Sequence, residues 1–447
     1  MASLKKIDKG ATILVRGAIL HFLADPGATD DPAAWAHLED GGLLIEQGRV
    51  AQLADWSVLE AGLTPQQRAG IQHYDYRGSL VLPGLIDTHL HYPQAGIIAS
   101  YGHRLLDWLN HYTFPAEASF ADPAVAARTA DYVLDRLLAN GTTTASVFAT
   151  VHAHSADAFF EAAERRGLRM LCGKVMMDRN GPPELLDTAA SAERDCRTLI
   201  ERWHGRGRLR YSLTPRFAPT STPGQLDVAG ALYAAWPDLH VQSHLAENAE
   251  EVAWVRELFP DRRCYLDVYA HHGLLGPRAI YGHCIHLSEA ERRWMADAGS
   301  AAAFCPTSNL FLGSGFFNYA AARDSQLKVG LATDVGGGTS FSLLRTLAEA
   351  YKVAQAAGGA LPPMRAFYLA TLGGAEALGL ADSIGSFQTG READFVVLDP
   401  SATAELAWRL ESCHSLAERL FALAILGDER CVRATHILGQ PAYLRPA

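Results

Sequence analysis

SLVLPGLIDTHLH, residues 79–91, is a short apolar run that ends in two histidines one residue apart. Along a strand alternate residues point to the same side, so His89 and His91 can face one ligand together. Seven runs of the same kind follow: GTTTASVFAT (141–150), RMLCGKVMMD (169–178), LRYSLTPRF (209–217), LHVQSHLAE (239–247), RAIYGHCIHL (278–287), SAAAFCPTSN (300–309) and KVGLATDVGG (328–337). Longer segments of helical period separate them, which is the rhythm of βα units on a parallel sheet. Eight such units close a barrel. The sequence therefore predicts an α/β fold with a (β/α)8 TIM-type barrel over residues 79–385.

The helices carry their own start and stop signals. Asp122 before Pro123 predicts an N-cap and first turn, Val125, Thr129, Val133 and Leu137 recur at helical spacing, and Gly141 ends the segment. Ser288 with Glu291 makes a capping-box pattern, with Gly299 as its stop. Residues 1–78 and 386–447 break the rhythm. ATILVRGAILHF, GGLLIEQGRVAQL, IGSFQTGREADFVVLDP and RATHILGQPAYL predict short strands joined by Gly-containing turns, assembled as one small β-sandwich domain built from both termini. The insertion from Tyr92 to Ala121 is long for a βα loop and carries Tyr101, Trp108, Tyr112, Phe114 and Phe120, which suits a cover over a site or an interface.

The balance of 39 basic and 49 acidic residues, net −10, opposes binding to nucleic acid or an anionic membrane surface. No stretch has the apolar length of a membrane span, and the N-terminus lacks the apolar core of a secretory signal. The seven cysteines are scattered without a CxxC pair, so a reducing compartment, the cytoplasm, is expected.

His89 and His91 end the first run, His244 the fifth, His283 the sixth, and Asp334 the eighth. That is the face on which barrel enzymes build their sites. Three imidazoles, or two with a carboxylate, and an open position for water hold a catalytic zinc. Any single one of the 18 histidines is better explained as a loop residue, and so are His152 and His154, a second HxH with no companion set. The ordered set is what points to a metal. Cys284 and Cys305 lie near the same face, but their spacing gives no thiolate cluster, and they read as small buried residues.

PGLIDTHLH (83–91), HLAE (244–247), GHC (282–284) and TDVGGG (333–338) resemble the signature of the amidohydrolase superfamily over nearly the whole chain. Within it, HYPQ (91–94), WLNHYTFPAE (108–117) and TPRF (214–217) resemble the guanine-deaminating branch. The resemblance implies one zinc per chain on His89, His91, His244 and Asp334, a ligand set that iron(II) would also suit. It gives His283 a place beside the attacking water, leaves Asp334 and Glu247 to move protons, and sets Gln94, Arg216 and Phe217 against a small purine. The implied reaction is hydrolysis of guanine at C2 to xanthine and ammonia, in a homodimer. Members with two metals carry a bridging lysine on the fourth strand; RYSLTPRF has none, and Lys174 on the third reads as an ordinary strand lysine. Two alternatives stand beside this. One is another deaminase or chlorohydrolase of the branch, acting on 8-oxoguanine, adenosine derivatives, triazines or pterins. The other is a non-catalytic scaffold, which should have lost several of these residues.

Overall fold

The computed structural model describes residues 10–101 and 105–446. Residues 1–9 at the basic N-terminus, 102–104 within the aromatic insertion, and 447 lie outside the described residues. Two sheets share the chain. β1 (Ile13–Phe22), β2 (Trp35–Glu46), β3 (Arg49–Asp55) and β4 (Gln72–Pro83) come first. β5 (Leu85–His91), β6 (Thr142–Phe148), β7 (Arg169–Gly173), β8 (Val175–Met176), β9 (Arg210–Pro215), β10 (His240–Leu245), β11 (Ala279–His283), β12 (Ala301–Phe304) and β13 (Lys328–Leu331) follow. β14 (Phe395–Leu398), β15 (Val432–Ile437) and β16 (Gln440–Leu444) end the chain.

The second group is the barrel. Its pairing is parallel throughout, in the order β5, β6, β7, β9, β10, β11, β12, β13, with the short β8 beside β9. Each of the eight runs supplies one of these strands, the third supplying β7 and β8 together. β5, β6 and β7 are buried along their whole length, as expected of parallel strands with helices outside and side chains packed inside. First and last strands meet through the His91 N–H to the Val335 carbonyl at 2.6 Å and the Asp334 N–H to the His89 carbonyl at 2.9 Å. Thr88 Oγ1 also donates to the Leu331 carbonyl at 3.0 Å. The strands approach so closely here that a Cβ on Gly330 would stand 2.3 Å from the Thr88 methyl.

The helix signals are realised. Asp122 accepts the Ala124 N–H at 2.8 Å and caps helix Pro123–Ala139. Gly141 follows with φ +82°, a conformation that ends a helix at little cost only for glycine. Ser288 and Glu291 form both halves of the capping box on helix Glu289–Asp297.

Both termini build one mixed seven-stranded sheet in the order β16, β15, β14, β4, β1, β2, β3, antiparallel except between β1 and β4. Ile13, Val15, Ile19, Leu43, Ile45, Phe395 and Val397 form its own core. β4 pairs with β14 as far as Pro83 opposite Phe395. The chain therefore passes from one sheet to the other at Gly84.

A buried ion cluster joins the two domains. Just before β14, Glu392 accepts from Arg169 Nε at 2.8 Å and from Arg208 at 2.8 Å, while Arg208 also reaches Asp394 at 2.7 Å. Burial alone would push the Glu392 carboxyl up, but the two guanidinium groups outweigh it and hold it down to about 2, from an ordinary 4.5. A folded-state value below the unfolded one contributes stability that is present above pH 4.5 and lost as pH falls towards 2. Glu392→Gln is expected to cost about 3 kcal/mol at neutral pH. In thermal melts the gap from wild type should close as pH drops below 4.5; a gap constant with pH would mean that the carboxylate charge is not what joins the domains.

Candidate metal centre and active site

The barrel brings five of the expected residues to one point. His89 and His91 end β5, His244 lies near the end of β10, His283 ends β11, and Asp334 follows β13. His91 Nε2 is 3.0 Å from His244 Nε2. Asp334 Oδ1 lies 3.4 Å from His89 Nε2 and 3.6 Å from His91 Nε2. His283 Nε2 is 3.8 Å from Asp334 Oδ2 and 3.3 Å from Glu247 Oε2. The strands deliver these groups through a turn of backbone that L residues seldom adopt: His283 has φ +69° and Asp334 φ +51°. Beside them, a Cβ on Gly282 would stand 2.8 Å from the His89 ring, so the absence of a side chain there makes room for the imidazole.

Neighbouring groups settle which imidazole nitrogen keeps its lone pair. His244 Nδ1 is 2.6 Å from the Arg216 carbonyl, which can only accept, so the proton sits on Nδ1 and Nε2 is free to act as a ligand. His283 Nδ1 faces Asn309 Oδ1 at 2.8 Å, which turns its Nε2 towards Glu247 and Asp334. Burial, with neighbouring imidazoles adding to it, pushes His91 and His244 well below the ordinary histidine value, and burial lowers His89 despite Asp334. All three are neutral. Burial also disfavours the charged His283, yet Glu247 and Asp334 leave it raised. Asp334 is buried too, but His89 and His283 hold it at about 2, a carboxylate. Burial lifts Glu247 to about 7, where it can both hold and release a proton near neutrality. Ser314 Oγ donates to Glu247 Oε1 at 2.9 Å.

Nε2 of His89 and of His283 is buried with no hydrogen-bond partner, and the Nε2 atoms of His91 and His244 face each other. Buried polar atoms left unpaired in this way are costly. The ligand atoms of His89, His91 and Asp334 lie within 4.8 Å of one another, as do those of His89, His244 and His283. Neutral imidazoles with one carboxylate are the donor set of zinc and other first-row divalent ions, and the residues fit the metal the sequence implies.

The cluster lines a cleft together with Gln94, Arg216, Phe217 and Leu312 and with Leu105, Trp108 and Leu109 of the insertion. The insertion thus contributes to the lining of the site, while its Tyr101 is exposed. All three expected purine-contacting residues line this cleft. Three neighbours escaped the sequence reading. Asn309 ends the seventh run, and Ser314 has no distinguishing signal. Glu117, buried between Gln94 and Arg216, closes the quoted WLNHYTFPAE stretch, and a lone carboxylate among aromatics was the available clue.

Cys305 comes closer than its spacing suggests, its sulfur lying with the His283 and Asp334 ligand atoms inside 4.8 Å. Its thiol points to the Ala303 carbonyl at 3.4 Å, and burial pushes its titration well up, so it stays protonated. Cys284 is likewise a buried thiol, directed at the Tyr281 carbonyl. His152 and His154 stack on each other, and His154 bonds the Phe120 carbonyl. Among the described residues neither belongs to a metal-binding group. Lys174 is fully buried and ion-paired with Asp187, which Gln225 also holds at 2.6 Å.

A parallel barrel with this histidine and carboxylate cluster at the C-terminal ends of its strands defines a class of hydrolase folds. The amidohydrolase family model matches residues 80–441, and the chain belongs to the amidohydrolase family. It is 50% identical to the guanine deaminase of Escherichia coli over 96% of this chain and 98% of that one. The solved E. coli guanine deaminase superposes with a TM-score of 0.92 at 46% identity, covering 98% of this chain and 100% of that chain. A guanine deaminase from C. acetobutylicum, solved with guanine bound in its active site, gives a TM-score of 0.86 at 28% identity, over 97% of this chain and 100% of that one.

Since Lys174 is already satisfied by Asp187, Lys174→Met is expected to cost about 3 kcal/mol by stranding a buried carboxylate while leaving the metal content per chain unchanged. Thermal melts and elemental analysis check this; loss of a metal equivalent would put Lys174 in the metal site.

Proposed function

We infer that the chain is a metal-dependent deaminase that hydrolyses guanine at C2, releasing ammonia and leaving xanthine. The observation that carries this reading is that Gln94 and Arg216 line the same cleft as the histidine and Asp334 cluster. The relatives that carry guanine in their names support the choice of purine.

His89, His91, His244 and Asp334 would hold one divalent ion, zinc as first choice. When bound, that ion supplies Lewis-acid activation of water at neutral pH. Asp334, a carboxylate facing His283, accepts the proton that the attacking water gives up. His283 stands between Asp334 and Glu247 and donates from Nε2 to the oxygen that adds to C2. Glu247, which burial lets hold a proton near neutrality, passes it to the ring nitrogen beside C2; the proton that Asp334 took reaches the departing amine, and the proton shed by the new C2 hydroxyl restores Glu247. Arg216 and the Gln94 amide donate to the acceptor-rich edge of the purine, and Phe217 offers its ring or its backbone N–H. Leu105, Trp108 and Leu109 add apolar lining to the cleft. A homodimer in the cytoplasm belongs to the same proposal. All seven cysteines are free, and among the described residues no helix is long and apolar enough to cross a membrane.

The test is incubation of the purified protein with guanine while xanthine and ammonia are followed together. Turnover of 8-oxoguanine, a triazine or a pterin with guanine inert would overturn the choice of substrate. Activity indifferent to a chelator and to added zinc would overturn the metal. Glu247→Gln is expected to lower kcat by about 10²- to 10⁴-fold with metal content intact by elemental analysis. A near-normal rate would remove Glu247 from the proton path.

A further inference from the structure

Glu117 belongs to helix Phe114–Ala118 in the insertion and stands behind the cleft wall that Gln94 and Arg216 form. It is 1% exposed. Its Oε1 accepts from Gln94 Nε2 at 3.0 Å, and its Oε2 accepts from Arg216 at 2.6 Å. On the same helix, Phe114 lays its ring 5.5 Å from the Arg216 guanidinium carbon. The Gln94 amide is gripped at both ends, because its Oε1 faces the Gly336 N–H at 3.4 Å.

A carboxylate only accepts hydrogen bonds, and a backbone N–H only donates. A flipped Gln94 amide would set oxygen against the Glu117 oxygen and N–H against the Gly336 N–H, two mismatches at once. With the amide held as it is, the second Nε2 hydrogen and the remaining guanidinium N–H groups are the hydrogens left for a ligand. We propose that Glu117 is a positioning residue that fixes the facing of the Gln94 amide and the Arg216 fork, making this wall a donor face that selects a carbonyl at the purine 6-position. The proposal rests on the guanine reading of the pocket. A 6-amino group would meet donors here and leave buried N–H groups unpaired, a mismatch that rejects more strongly than a missing contact.

In this role Glu117 acts through its two neighbours, so its loss should weaken binding and discrimination before it slows chemistry. In Glu117→Gln the side chain must donate at one end, and it cannot satisfy both Gln94 and Arg216. The metal-replete enzyme is assayed with guanine, and with 2,6-diaminopurine, which carries an amino group where guanine has its carbonyl, as competitor. KM for guanine is expected to rise roughly tenfold or more with kcat held within about threefold, and the preference for guanine over 2,6-diaminopurine should narrow in parallel. Glu117→Asp keeps the charge but retracts the carboxylate by one methylene. It should move both readouts in the same direction, and it decides the matter if the glutamine variant does not fold. Folded variants with wild-type KM and unchanged preference would overturn the assignment of Glu117 alone. A wild-type enzyme inert towards guanine would overturn the reading of the site and this proposal with it.

Discussion

Closure of the barrel between its first and last strands is the constraint on which the site depends. The hydrogen bond that joins the Asp334 N–H to the His89 carbonyl is part of that seam, and so is the one from the His91 N–H to the Val335 carbonyl. The same backbone contacts that bring the first and last strands together also set a carboxylate 3.4 Å from one imidazole and 3.6 Å from another. Asp87 reinforces the seam from β5, its carboxylate accepting the backbone N–H of Thr333 at 3.0 Å and bonding that residue's hydroxyl. Geometry at the cluster is thereby a property of the sheet, and a shift of register at the seam would disperse it.

Assembling such a cluster works against stability. Buried imidazole nitrogens stand without partners, and His283 and Asp334 hold left-handed backbone that costs of order 1–3 kcal/mol each in general. These costs are tolerated because the surrounding structure is over-determined. β5, β6 and β7 are buried throughout, and a tight strand crossing at Gly330 leaves the backbone little alternative. The helices outside the barrel add caps of ordinary design, such as Asp122 and the Ser288–Glu291 box.

The sequence was legible where chemistry follows strand order. Each of the eight apolar runs became a barrel strand, and the ends of those runs met, because a parallel barrel gathers the C-terminal ends of all its strands on one rim. His152 and His154 lie just past the end of such a strand, β6, and still do not join, since one starts the following helix and the other turns to Phe120. What stayed hidden depends on long-range packing that no local pattern encodes. Asn309 and Ser314 meet His283 and Glu247 only after the barrel has closed. The change of sheet at Gly84 falls inside a single apolar run, where periodicity is blind to which sheet a residue will join. Cys305 approaches Asp334 because neighbouring strand ends converge, something sequence spacing does not measure.

Two buried carboxylates show how one device serves different ends. Glu392 bridges Arg169 and Arg208 and fastens the terminal sheet to the barrel. Glu117 bridges Arg216 and Gln94 and fastens the insertion to the cleft wall. In both, an acceptor-only group is placed between two donors from different parts of the chain, so the pairing specifies geometry even where its net contribution to stability is modest. The Arg216 linkage goes further, because its carbonyl also fixes the tautomer of His244. One residue thus ties the insertion, the cleft wall and the histidine cluster together, so the facing of the substrate edge and the readiness of an imidazole lone pair are set by the same short stretch of backbone after β9.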